Sequence, residues 1–389
     1  MEDKDLSLNQ RITDTIHSNF SSKPVQGTSL DEVDLLDPTQ LSDWDPAANP
    51  VSLSPFEDAD SIADLIHGLE IPKLAMSEYY GEYNFGAVDG SSGRIVRQTL
   101  AAVFVQSAFA SNSINASMDV TRLMDNDFKI IPFTDYFLKD SAIKHPNIVG
   151  YDPNKDIMIN VDSRAGYEQA ILEVNTIPLV MKKYGDNLHF LGIDGPLYSK
   201  SNISLASKTV DKALNNLIGM FAIVKRTGSS AVLNKMREQL KTNPNKALKQ
   251  ILKNQYFNDT SFFARYLQEG HRSLFFEDRS SKEEKAGLPD ELTRVCCYLK
   301  MDNRKVVRLE MPKKVAYEHG DLTMGNDIAN MVYWQARESS KPLPNYFHLA
   351  DEAAKLTRTK IEGYKTPIDE FLKSIGDSTI EFQEWKGYT

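Results

Sequence analysis

Two short segments of one form constrain this chain most: Ala87-Val88-Asp89-Gly90-Ser91 and Gly192-Ile193-Asp194-Gly195-Pro196. Each is an apolar run that ends on aspartate and glycine. A strand that stops on an aspartate puts a carboxylate on a rigid element at a sheet's rim, and the glycine lets backbone or phosphate come close. Asp-Gly is also a strong turn signal, so a simple β-turn explains either segment alone. Two such segments on buried strands, joined by a helical stretch, point to an α/β sheet with acids along one edge.

The stretch between them has Tyr167, Ile171, Val174 and Met181 on one helical face, with Pro178 predicting a kink. The stretch carries Glu168 and Glu173; Glu173 lies beside that apolar stripe, within reach of the rim, and a solvated surface position is the plain alternative for a single helical glutamate. Further on, Pro344-Asn-Tyr346-Phe-His348-Leu-Ala-Asp351 leads into a helix predicted over Ala350–Ile361, whose first turn holds Asp351. His348 reads either as a packed loop histidine or as a ligand.

Strands are predicted at Tyr83–Val88, at Arg94–Ala110 after a turn through Asp89–Gly93, and at Asp156–Val161, Leu188–Ile193 and Ile218–Val224. Val295–Leu299 and Val306–Met311 form a hairpin around Asp302-Asn303, and Asp327–Gln335 is helical. Residues 234–290 read as a Lys-rich helical insertion. The adjacent Cys296 and Cys297 make neither a disulfide framework nor a C-x-x-C pair, and read as buried strand residues.

Charge divides the chain. Residues 1–70 hold 15 acidic and 3 basic residues, leaving a body of net +3 in a chain of net −9. Residues 1–60 read as a disordered acidic extension, 61–75 as an amphipathic helix (Ile62, Leu65, Ile66, Leu69) with linker, and 76–389 as the main domain. The head has three readings: it docks on a partner through Ile62–Leu69, it lies over the basic body as a polyanion mimic, or it only solubilises. No membrane span and no signal-like start is read, so the expected location is cytoplasmic. P-loop, dinucleotide-binding, zincin and hydrolase-elbow motifs do not occur.

Four blocks, in order, resemble the NurA-type nucleases, which work with a HerA-type hexameric DNA-translocating ATPase. They are Ala-Val-Asp89-Gly-Ser, Leu-Glu173-Val, Gly-Ile-Asp194-Gly-Pro-Leu with the later Phe-Ala-Ile-Val-Lys225, and Ala350-Asp351-Glu-Ala-Ala. Arg308-Leu-Glu310-Met-Pro312 is similar to a strand of that family. The resemblance implies a ribonuclease-H-like α/β fold, a mixed central sheet flanked by helices. It makes Asp89, Glu173, Asp194 and Asp351 the catalytic metal ligands, with His348 the alternative to the last. It also implies a homodimer and the HerA-type partner.

Oxygen ligands suit Mg²⁺ or Mn²⁺ rather than zinc, and the resemblance favours Mn²⁺. Two ions about 3.5–4 Å apart would activate water and stabilise the leaving oxygen. Lys225, Arg226, Ser229 and Tyr346 are candidates to hold DNA. The expectation is a metal-dependent DNA nuclease, an exonuclease with endonuclease activity as a second expectation, that resects ends with the ATPase; the alternatives are an inactive scaffold on the ATPase ring and an RNA nuclease of the same fold.

Overall fold

A computed structural model describes residues 7–20, 52–55, 68–72, 83–97, 99–112, 120–133, 139, 145–149, 161–198, 203–225, 229–234, 258–279, 283, 286–302, 305–317, 321–339 and 343–374. The first half contains α1 (Leu8–Asn19), β1 (Ser52–Pro55), β2 (Leu69–Glu70), β3 (Phe85–Val96), β4 (Leu100–Asn112), β5 (Val120–Pro132), α2 (Val161–Tyr184) and β6 (Phe190–Asp194). There follow α3 (Ile203–Asn215), β7 (Gly219–Val224), α4 (Asp259–Tyr266), β8 (His271–Arg272), β9 (Phe276–Arg279), β10 (Arg294–Lys300) and β11 (Val306–Pro312). The chain closes with α5 (Lys313–Ala316), α6 (Thr323–Glu338), α7 (Asn345–Ala354), α8 (Arg358–Gly363) and α9 (Lys365–Ser374).

One mixed sheet runs β1-β9-β10-β11-β7-β6-β3-β4-β5, with β2 joined to it through β8. An antiparallel meander, β3-β4-β5, is extended on its other side by β6 and β7, both parallel to β3. This is the ribonuclease-H-like mixed sheet that was expected. Side chains alternate between its faces. On one face α2 packs with α3, and Tyr184 stacks on Phe109 at 5.2 Å. On the other lies α7, whose Ala353 carbonyl accepts from Gln106 at 2.7 Å.

The first hairpin turns later than expected. Asp89–Gly93 is mid-strand, paired without a break to β4, and the chain reverses beyond Val96, where the Arg97 N–H donates to Leu100 O at 2.9 Å. Ladder bonds to β4 satisfy the backbone through Asp89-Gly90, which overrides the local turn preference. The strand predicted at Asp156–Val161 lies outside the described residues except for Val161, which opens α2. The meander's third strand is instead β5, an outer strand whose Met124 is 51% exposed, so its apolar signal is diluted. Helix α2 continues through Pro178.

The acidic head is not wholly extended coil. Helix α1 is capped by Ser7 and buries Ile12 and Ile16 beside Ile368, Phe371 and Leu372 of α9, with Phe20 edge-on to Phe371 at 5.0 Å. The helix predicted over Ile62–Leu69 lies mostly outside the described residues, and Leu69 belongs to β2. Part of the 234–290 segment is sheet, since β8 and β9 both pair with β10. The expected β10–β11 hairpin is present, with Cys296 and Cys297 fully buried in it.

Candidate active site

Parallel pairing of β3 and β6 sets Val88 opposite Ile193, so the next residues, Asp89 and Asp194, stand side by side where β6 ends. The Gly90 N–H donates to Asp89 Oδ1 at 2.7 Å, and the Asp89 and Asp194 carboxyls are close enough for their charges to act on each other. Burial first, then the charges of Asp194 and Glu173, push the Asp89 carboxyl well above the usual carboxylate range. Burial likewise raises Asp194, which Lys225 pulls back down and the charge of Asp351 pushes up again.

Glu173 reaches this pair from α2. Its carboxylate occupies the space above Gly90, where any β-carbon would collide with it, so this glycine serves a close approach of side chain to strand. Gln169, one turn earlier, donates to Glu173 Oε1 at 2.9 Å and to Gly90 O at 2.9 Å, and accepts from Ser92 Oγ at 3.0 Å. Burial raises Glu173 to about 7 despite the Gln169 bond, with Asp194 adding to the rise. Gln169 is a site residue that the sequence reading missed; its polar side chain at i−4 from Glu173 was the available signal.

Asp351 comes from α7, on the opposite face of the sheet, and its charge bears on both Asp194 and Lys225. Helix α7 begins at Asn345 and ends at Ala354, so Asp351 sits in its second turn, and the predicted Ala350–Ile361 helix is divided between α7 and α8. The start moves earlier because Pro344 fixes the backbone ahead of the first turn. His348 lies one turn before Asp351, its Nε2 3.3 Å from Glu352 Oε1.

Lys225 follows the end of β7 and pairs its ammonium with Asp194. Burial disfavours its charge, but Asp194, Asp89 and Asp351 outweigh that and raise its pKa. As the side chains stand, no three His, Cys, Asp or Glu residues among those described are grouped to hold a metal ion. The chemistry of the four acids nonetheless fits a hard divalent cation: all are oxygen donors, and at Asp89, Asp194 and Glu173 proton affinity is raised by burial and mutual repulsion.

A groove of about 310 Å³ opens beside Glu173 and Asp194, between α2 and the turn after β6, where Gly195 has φ +134°. Only glycine takes that conformation readily, and the Gly195 N–H donates to Ile223 O at 3.1 Å.

Three of the residues chosen to hold DNA sit elsewhere or lie outside the described part. Tyr346 is 1% exposed, stacked near Phe85 with its hydroxyl on Met331 Sδ, so its ring has no free face for a base. Ser229 donates to Asp259 Oδ2 at 3.1 Å, within a cap that also receives the Val232 and Leu233 N–H groups. Arg226 lies outside the described residues. Glu168 is buried against Arg164 rather than solvated.

This sheet, with acids converging on one rim from two strands and both faces, defines the class of protein. A family model described as the NurA domain matches residues 83–371, and the chain belongs to the NurA family. Among solved structures it is similar to the NurA nuclease from Sulfolobus solfataricus, with 14% identity, a TM-score of 0.48, and coverage of 82% of this chain and 89% of that one. It is also similar to a structure of NurA with manganese (10% identity, TM-score 0.31, 82% and 94% coverage) and to an endonuclease V from Streptomyces avermitilis (12%, 0.33, 75% and 91%). A comparison with curated proteins finds no match. Among the described residues, no helix is long and apolar enough to cross a membrane.

Proposed function

We propose that this protein is a divalent-metal-dependent DNA nuclease, with Asp89, Glu173, Asp194 and Asp351 as ligands and Mn²⁺ or Mg²⁺ as the ion, two ions being the expected number. The observation that carries this reading is the rim itself. Among the described residues, the buried acids there are accompanied by the Lys225 ammonium, and burial and mutual repulsion raise their proton affinity, which supports a site that takes up a cation. Membership of the NurA family supports DNA as substrate.

When bound, such ions would polarise the scissile phosphate, activate water and stabilise the leaving oxygen. The chain's own part is positioning. Gln169 holds Glu173 at Oε1, and the Gly90 N–H holds Asp89 at Oδ1. With Asp194 engaged by a metal ion, Lys225 Nζ would be the chain's own cation beside the site, placed to meet a phosphate oxygen. The groove beside α2 gives the strand a path to the rim.

End resection with a HerA-type hexameric ATPase, a homodimeric state and a cytoplasmic location belong to the same proposal. The test is cleavage of labelled DNA by the purified chain. Activity is expected with Mn²⁺, less with Mg²⁺, little with Zn²⁺ and none in EDTA; full activity in chelator overturns the metal reading.

A further inference from the structure

We propose that Glu310 is a positioning residue for the Asp194 turn, holding it from the opposite face of the sheet through a buried charge network. This inference rests on reading Asp194 as a metal ligand. Glu310 lies on β11 in register with Ala222 of β7, which is itself in register with Ile193 of β6. It therefore shares a rung with the residue before Asp194, and by alternation it projects from the other face. It is 0% exposed.

The chain after Asp194 folds over the rim toward it. The Leu197 N–H donates to Glu310 Oε2 at 2.9 Å, and Leu197 and Tyr198 are themselves buried, the tyrosine hydroxyl donating to Leu292 O at 2.8 Å. With the Gly195 bond to Ile223 O, this turn is held at two points within three residues of Asp194.

Glu310 is in turn held by charge. Arg308 bonds it directly, and Arg294 Nη1 stands 3.6 Å from Oε2. Both arginines also contact Asp278 Oδ2 at 3.1 Å, and Arg294 contacts Glu283 at 3.4 Å. Burial alone would raise the Glu310 carboxyl; Arg308, Arg294 and the Leu197 N–H outweigh it and keep the group ionised. A hydrogen bond to an ionised acceptor is roughly twice as strong as a neutral one, so a charged Glu310 fixes the turn more firmly than an amide would. A network serving stability alone would spread its effect evenly. Glu310 is the member that receives the Leu197 amide, which predicts an effect specific to it.

The experiment compares Glu310→Gln with Asp278→Asn in the full chain, since Asp278 bonds the same two arginines. Hydrogen exchange at the Leu197 amide and Mn²⁺ affinity by titration calorimetry are read beside thermal stability. Glu310→Gln is expected to speed Leu197 exchange and weaken Mn²⁺ binding, each by about tenfold. Asp278→Asn should lower stability comparably and leave both readouts within about twofold. Unchanged Leu197 exchange in Glu310→Gln, or equal loosening in Asp278→Asn, overturns the proposal. If Glu310→Gln does not fold, Glu310→Asp, which keeps the charge but shortens its reach, is read the same way. Failure of the wild type to bind Mn²⁺ would sink the metal reading, and Leu197 exchange would still decide the role of Glu310.

Discussion

At the rim, among the described residues, Asp89, Asp194 and Asp351 act on the Lys225 ammonium, with Glu173 acting on Asp89; inside β9–β11, Asp278, Glu283 and Glu310 share two guanidiniums, Arg294 and Arg308. Both regions bury acids, and burial disfavours the charged form in each. At the rim the described groups do not offset it, so Asp89 and Glu173 are pushed up. In the interior Glu310 is held below its usual range. Positive charge within reach, rather than burial, separates a finished ion network from one that can accept a cation.

The largest expected effect comes from the unfinished side. Asp89→Asn and Asp194→Asn should each lower Mn²⁺-dependent cleavage about a thousandfold without loss of fold, because the amide keeps the shape and removes a donor charge. Glu173→Gln should be similarly severe. Glu168→Gln, at an acid already paired with Arg164, should leave cleavage within a few-fold of wild type; the reverse order would show that the wrong acid on α2 has been assigned.

The interior network breaks differently. Arg308→Met leaves the buried Glu310 and Asp278 with Arg294 as their remaining guanidinium and should cost about 3–5 kcal/mol in urea unfolding. Less than about 1 kcal/mol would mean that water reaches the network.

Much of the rim was legible in sequence because strand-end aspartates and a carboxylate beside an apolar helical stripe have short-range signatures. The interior network has none. Arg308 and Glu310 alternate along β11, a pattern that usually marks a solvated face, and only the fold, which buries every residue of that strand, shows that both its faces are covered. Tyr346 misled for a related reason: an aromatic beside an acidic motif looks available to a base until the fold stacks it near Phe85.

Helix α1 was missed because acidic composition outweighed its single amphipathic pattern. Ile16→Ala should cost about 2–4 kcal/mol by opening a cavity against α9, whereas a change of about zero would return the head to disordered coil. Deleting residues 1–58 would remove core as well as charge.

Stability against pH should also distinguish the two regions. Glu173 has a higher pKa folded than unfolded, so the metal-free fold binds the proton more tightly and loses stability as pH rises from about 4.5 through 7. Glu310 has the opposite sign: its contribution is present above its unfolded value and is lost as pH falls through the lowered folded one. Asp89→Asn should therefore raise the melting temperature in EDTA at pH 8, and a decrease would contradict the repulsion argument. The smallest effect is expected from Tyr346→Phe, about 1 kcal/mol or less with DNA affinity unchanged.

The central claim is that the rim holds protons in place of a divalent cation. Calorimetric titration of the full chain with Mn²⁺ at pH 7, in buffers of different ionisation enthalpy, measures that exchange directly. The account predicts saturable binding that releases protons, with the release shrinking toward pH 9 and binding lost in Asp194→Asn. Binding without proton release, or equal binding in the variant, would contradict it.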